Sequence, residues 1–167
     1  MRRLTDAYLD IETTGLSPFY NYITVIGIYR CEGRNSELIQ LVGGEVTRGN
    51  LITALRNVHT IYTYNGTRFD LRFIAASLGI DLAVEYHHRD LMYDCWRCNL
   101  YGGFKAVERQ LGIPRRLQGV NGYEAVQLWW SYLKGGNESA LALLLEYNRE
   151  DVVNLKTLKE ILANHNR

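Results

Sequence analysis

The side chains with the most chemistry in them are carboxylates at the ends of apolar segments. Asp10 and Glu12 stand in Ala7-Tyr8-Leu9-Asp10-Ile11-Glu12, where Ala7, Leu9 and Ile11 alternate with Tyr8, Asp10 and Glu12. That period predicts a strand with one buried face, so both acids project from one side with Cα atoms roughly 6–7 Å apart. Paired carboxylates at the end of an apolar strand are costly unless a cation lies between them. A solvated edge strand would tolerate them too; a divalent metal site needs more oxygen ligands. Asp70 and Asp151 are two further acids to weigh. Asp70 closes Asn65-Gly66-Thr67-Arg68-Phe69-Asp70, between a predicted strand and a predicted helix, where α/β sheets place ligand groups. Thr67-x-x-Asp70 also fits a capping box, in which the acid only complements the helix N-terminus. Asp151 lies four residues beyond Tyr147, so the two share a helical face, as chance pairs also do.

The elements that must position these groups follow from periodicity. After the loop Thr13 to Pro18, Ile23 to Arg30 is β-branched and reads as a second strand, and Leu38 to Val42 as a third. The short separations favour antiparallel hairpins. Leu51 to Val58 has helical spacing with Asn50 as its cap, and Ile61 to Tyr64 is a strand again. A strand-helix-strand passage implies parallel pairing with the first strand, which makes the sheet mixed. Tyr86 to Met92 is a short fifth strand, followed by helices over Phe104 to Leu111, Tyr123 to Leu133 and Glu138 to about Ala163. Trp129 and Trp130 read as packing residues. His87, His88, Cys95 and Cys98 include one Cys-x-x-Cys, but no second Cys pair completes a zinc site.

A chain of 167 residues is read as one domain, 1–167, with 47% hydrophobic and 22% charged residues. No apolar run follows the basic start and none is long enough for a membrane span. Three cysteines argue for a reducing, cytoplasmic setting. The net charge of +1 supplies no global attraction for nucleic acid. Arg68, Arg72, Arg89, Arg97, Lys105, Arg109, Arg115 and Arg116 are nonetheless gathered in the middle of the chain, either as a solvated face or as a phosphate-contacting rim.

Taken together, Asp10-x-Glu12, Asn65-x-x-x-Phe69-Asp70 and Tyr147-x-x-x-Asp151 resemble the three motifs of the DEDD exonucleases, in the tyrosine-bearing DEDDy subclass of the ribonuclease-H-like superfamily. Thr13-Thr14-Gly15-Leu16 resembles the loop of proofreading-type exonucleases. Gly103-Phe104-Lys105-Ala106-Val107-Glu108 with Leu111-Gly112-Ile113 is similar to the YprB-type exonuclease-like domain. The resemblance spans nearly the whole chain. It implies an α/β ribonuclease-H-like fold, with a five-stranded mixed sheet of order 3-2-1-4-5, strand 2 antiparallel and helices on both sides. It further implies two Mg²⁺ or Mn²⁺ ions, which suit an all-carboxylate site. Asp10 would bridge both ions, with Glu12, Asp70 and Asp151 as the other ligands. Tyr147 would orient the attacking water or help deprotonate it. Thr14, Leu16 and Asn65 would bind substrate. The activity implied is 3′-to-5′ hydrolysis of single-stranded DNA or RNA ends, releasing nucleoside 5′-monophosphates. The alternatives are a non-catalytic nucleic-acid-binding or scaffold domain, or an endonuclease subunit directed by a helicase or polymerase partner.

Overall fold

A computed structural model describes residues 4–165; Met1-Arg2-Arg3, which carry the basic start, and Asn166-Arg167 lie outside the described residues. The strands are β1 (Thr5–Thr13), β2 (Ile23–Glu32), β3 (Asn35–Val42), β4 (Val58–Thr63) and β5 (His87–Asp90), in the order β3-β2-β1-β4-β5. The β1–β2 and β2–β3 pairs are antiparallel, and β1–β4 and β4–β5 are parallel. Connection length accounts for this. β2 and β3 are joined by a tight turn at Gly33, whose φ of 62° lies in the left-handed region. Each parallel neighbour is reached through helix, α1 (Arg48–Ala54) before β4, then α2 (Asp70–Leu78) and α3 (Leu82–Glu85) before β5.

The helices fall on two sides. Ala7, Leu9, Ile11, Ile26 and Ile28 face Leu51, Leu71, Phe73, Ile74 and Leu82 of α1 to α3. On the other side, Tyr8 and Tyr62 meet α4 (Leu91–Arg97), α5 (Phe104–Leu111) and α7 (Glu138–His165) through Leu91, Val107, Val152 and Leu155. Val25 meets α6 (Gly122–Gly135) and α7 through Ala125, Trp129 and Leu144. β1 is therefore buried on both faces, where alternation predicts one; its second face carries Tyr8 and the carboxylates under α7. Its central place in a covered sheet is the reason.

Local boundaries also differ from the periodicity. Thr47, not Asn50, caps α1: its side chain accepts from the Asn50 amide at 3.1 Å. Val58 belongs to β4 instead of a helix, after Asn57 turns the chain with φ of 63°. The capping box at Thr67-x-x-Asp70 is absent. Phe69 occupies the N-cap without a side-chain bond, and the Asp70 carboxylate is used across the sheet.

Candidate active site

β1 and α7 bring the site together. Asp10, Glu12 and Asp151 each offer a carboxylate oxygen, and these oxygens lie within 4.8 Å of one another. They form part of the wall of a cavity of about 420 Å³, shared with Tyr147, Lys105, Phe104, Phe69, Tyr64 and Leu16. Tyr147 and Asp151, four residues apart on α7, are both buried, not a surface pair. Asp70 is buried as well, but it stands apart from the cluster. Its Oδ2 accepts the Ile11 amide at 3.1 Å, which ties α2 to the strand between the two acids.

Burial and mutual repulsion dominate the electrostatics. Burial first, then Asp151, Glu12 and Asp70, holds the Asp10 carboxyl well above the usual carboxylate range. Burial and Asp151 do the same to Glu12. Asp70 is pushed up to about 7, chiefly by burial, against the opposing donation from Ile11. A carboxyl with a raised folded pKa binds a proton more tightly in the fold than in the unfolded chain. Its contribution to stability is therefore greatest in acid and declines as pH climbs from about 4 towards 7. Asp70→Asn keeps an acceptor for Ile11 without the charge. Its Tm relative to wild type, both in chelator, should rise steadily between pH 5 and pH 8; a difference independent of pH would remove Asp70 from the strained set.

A hard divalent cation fits this donor set. Glu12 Oε1 is buried without a hydrogen-bond partner among the described residues, so the ionised carboxylate is favoured when a cation meets it. The other acids are secured by protein. Arg115 donates to Asp151 and, at 2.5 Å, to Glu108 Oε2, while Glu108 Oε1 accepts from Asn154 at 2.9 Å.

Periodicity gave no sign of several supporting groups. Asn148 is fully buried and donates through Nδ2 to the Asp10 carbonyl at 3.3 Å and to Asp10 Oδ2 at 3.4 Å. Gln40 holds it from the other side, donating to Asn148 Oδ1 at 3.1 Å and to the Leu145 carbonyl at 2.8 Å. Gly27 lies opposite Asp10 in the β1–β2 register, and a Cβ there would collide with the Asn148 carboxamide. A lone glycine within the β-branched run Val25-Ile26-Gly27-Ile28 was the available signal of such a close approach. Asp90 is also buried, and its carboxylate accepts from the amides of Asn65 (2.8 Å), Thr67 (3.1 Å) and Met92 (3.1 Å).

The remaining sequence candidates are placed as follows. Leu16 is exposed at the cavity mouth. The Thr14 hydroxyl accepts from the Tyr22 amide at 3.1 Å, and the Thr14 amide donates to the Tyr22 carbonyl at 3.0 Å, so Thr14 closes the loop after β1. Asn65 turns the chain at the end of β4 with φ of 60°, and its Oδ1 is buried without a partner. Neither Thr14 nor Asn65 is part of the cavity wall. Of the basic group, Arg89 and Arg97 pair with Asp94. Cys95 is buried, and the carboxylate trio is the metal-compatible cluster found among the described residues. No described helix is long and apolar enough to cross a membrane.

A mixed sheet of this order, with acids from its first strand meeting one from the last helix, defines the class. The family model described as RNase_H superfamily matches residues 7–163, and the chain belongs to that superfamily. Within it, the chain is similar to the uncharacterized protein YprB of Bacillus subtilis, at 29% identity over 166 residues, covering 90% of this chain and 40% of that protein. The chain thus spans well under half the length of that relative. Among solved structures, the family B DNA polymerase of Pyrobaculum calidifontis superposes with a TM-score of 0.73 at 17% identity, covering 96% of this chain and 24% of the polymerase. Brucella melitensis NrnC with bound Mg²⁺ gives 0.66 at 22% identity, covering 96% of this chain and 73% of NrnC. NrnC bound to pGG gives 0.64 at 23% identity, with 96% and 72% covered. These likenesses concern the fold.

Proposed function

We propose that the chain is a divalent-metal-dependent 3′-to-5′ exonuclease acting on single-stranded nucleic acid and releasing nucleoside 5′-monophosphates. The observation that carries the reading is the convergence of Asp10, Glu12 and Asp151 on one wall of a cavity, with a buried Glu12 oxygen that no group of the described residues satisfies. That NrnC has been solved with Mg²⁺ and with pGG supports it.

Asp10, Glu12 and Asp151 would hold two Mg²⁺ or Mn²⁺ ions, with Asp70 bracing the strand and completing the set. When bound, the ions stabilise the attacking and leaving oxygens together. The chain's own groups do the rest. Tyr147 directs the water, whose oxygen bonds to phosphorus while the bond to the 3′ oxygen of the preceding nucleotide breaks; the leaving oxygen takes up a proton. Leu16, exposed at the mouth, wedges the terminal base, which at a chain end requires unstacking only one step. Thr14 and Asn65 shape the loops from which substrate is held.

The test uses end-labelled linear and circular single strands of DNA and RNA with Mg²⁺ or Mn²⁺. Linear strands are expected to shorten from the 3′ end to mononucleotides, while circles persist. Circles cut as fast as linear strands would make the protein an endonuclease. Binding without cleavage would make it a scaffold.

A further inference from the structure

Outside the cavity, exposed rings and cations meet where the turn between β4 and α2 faces α4. The Arg68 guanidinium lies over the Trp96 ring, 5.7 Å from its centre, and Tyr93 braces that ring edge-on at 5.2 Å. Arg68 is exposed and forms no ion pair among the described residues, and Trp96 is 36% exposed. Beside them, Arg89 and Arg97 share the single carboxylate of Asp94, whose side chain is 4% exposed against 55% and 69% for the arginines. The acids nearest in sequence, Asp70, Asp90 and Asp94, are all buried. What solvent meets here is therefore positive and aromatic. The surface also adjoins the cavity. Arg68 directly precedes Phe69, and the segment after α4 leads to Gly103 and Phe104, all three in the cavity wall. Tyr64 ties the two segments together, donating to the Gly102 carbonyl at 2.6 Å and stacking on Phe104 at 5.2 Å.

From this juxtaposition we infer that Arg68 and Trp96, with Arg97 beside them, form a track outside the cavity for the single strand upstream of its 3′ end. Arg68 takes a backbone phosphate, and the exposed part of the Trp96 ring takes a base. A guanidinium held over a ring keeps its N–H donors in a fixed fork, so less freedom is lost when a phosphate is bound. Arg68 also has no carboxylate to give up first. Phosphates and accessible ring faces at neighbouring positions are what a single strand carries, whereas a duplex stacks its faces away. The track lies beyond the cavity wall, so it acts only on strands long enough to leave the cavity.

The inference rests on the nuclease reading for the direction of the strand, and binding measured in chelator separates the two. Arg68→Met removes the guanidinium and keeps a stem, Arg68→Lys keeps the charge, and Trp96→Leu keeps apolar bulk. Anisotropy of 5′-labelled oligothymidylate compares a dinucleotide with a strand of about twelve nucleotides, within the span of a single-strand groove. Wild type should bind the longer strand at least about 10-fold more tightly, through the phosphates and bases that the dinucleotide lacks. Arg68→Met should lose about 5-fold of that advantage and lower the slope of log affinity against log salt by about 0.7, the share of one phosphate. Arg68→Lys should keep the slope. Trp96→Leu should lose about 5-fold with little change of slope, as loss of stacking does. Dinucleotide binding and Tm should stay at wild-type values, and in Mn²⁺ the KM of the longer strand should rise while kcat holds. If Trp96→Leu melts early, the two Arg68 variants decide alone. A wild type indifferent to strand length, or an Arg68→Met variant with affinity and slope intact, overturns the track whether or not any strand is cleaved. The expected losses in a protein that cleaves nothing would uphold the track and sink the nuclease reading.

Discussion

Asp10→Asn is expected to lower oligonucleotide hydrolysis by more than about 100-fold, equivalent to ~3 kcal/mol of transition-state stabilisation. Asp10 is the half-buried member of the acidic trio, and Asn148 holds its carboxylate in place. The amide keeps the size and hydrogen-bonding shape and removes one charge from a set that burial and neighbouring acids already disfavour. The metal-free variant should therefore melt above the metal-free wild type at pH 8, whereas Mn²⁺ should stabilise the wild type more than the variant. Turnover within 100-fold of wild type would refute the ion-bridging role of Asp10. A lower metal-free Tm would show that its charge is not a burden in the fold.

Tyr147→Phe should reduce kcat by about 10²- to 10⁴-fold, the span of a positioned proton-handling group. Only the hydroxyl is lost; the ring stays packed with Val25, Ala125 and Trp129. Tyr147 contributes no oxygen to the carboxylate trio, so Mn²⁺ affinity measured calorimetrically should be unchanged. Tyr147 Oη accepts from Lys105 Nζ at 2.6 Å, and a phenol that only positions the water should give a loss nearly constant from pH 7 to pH 9. A base would instead show a loss that grows with pH. Weakened Mn²⁺ binding would move Tyr147 from the chemistry to the architecture.

The motif acids on β1 and α7 were legible because their spacing in the chain becomes spacing in space through local geometry. A strand puts residues 10 and 12 on one face, and a helix does so for 147 and 151. The sheet order followed from the same strand pattern joined to the family resemblance. What periodicity left out depends on partners distant in sequence. Nothing beside Asp70 indicates that its carboxylate serves the Ile11 amide, and nothing beside Asp90 indicates that it holds three amides of the neighbouring loops. Arg115 read as one basic residue among many until Glu108 and Asp151 stood around it. Helix starts failed for a smaller reason. Thr47 and Asn50 are both competent caps, and backbone direction selects between them.

The amide of Asn148 reaches Asp10 across 138 positions of sequence, and Asp151 and Tyr147 arrive on the same helix. Contacts so far apart in the chain carry a loop-closure cost that near neighbours do not. During synthesis, Asp10 and Glu12 leave the ribosome well before the residues that complete their site exist. A product truncated before α7 would lack Tyr147, Asn148 and Asp151, the whole α7 side of the candidate site.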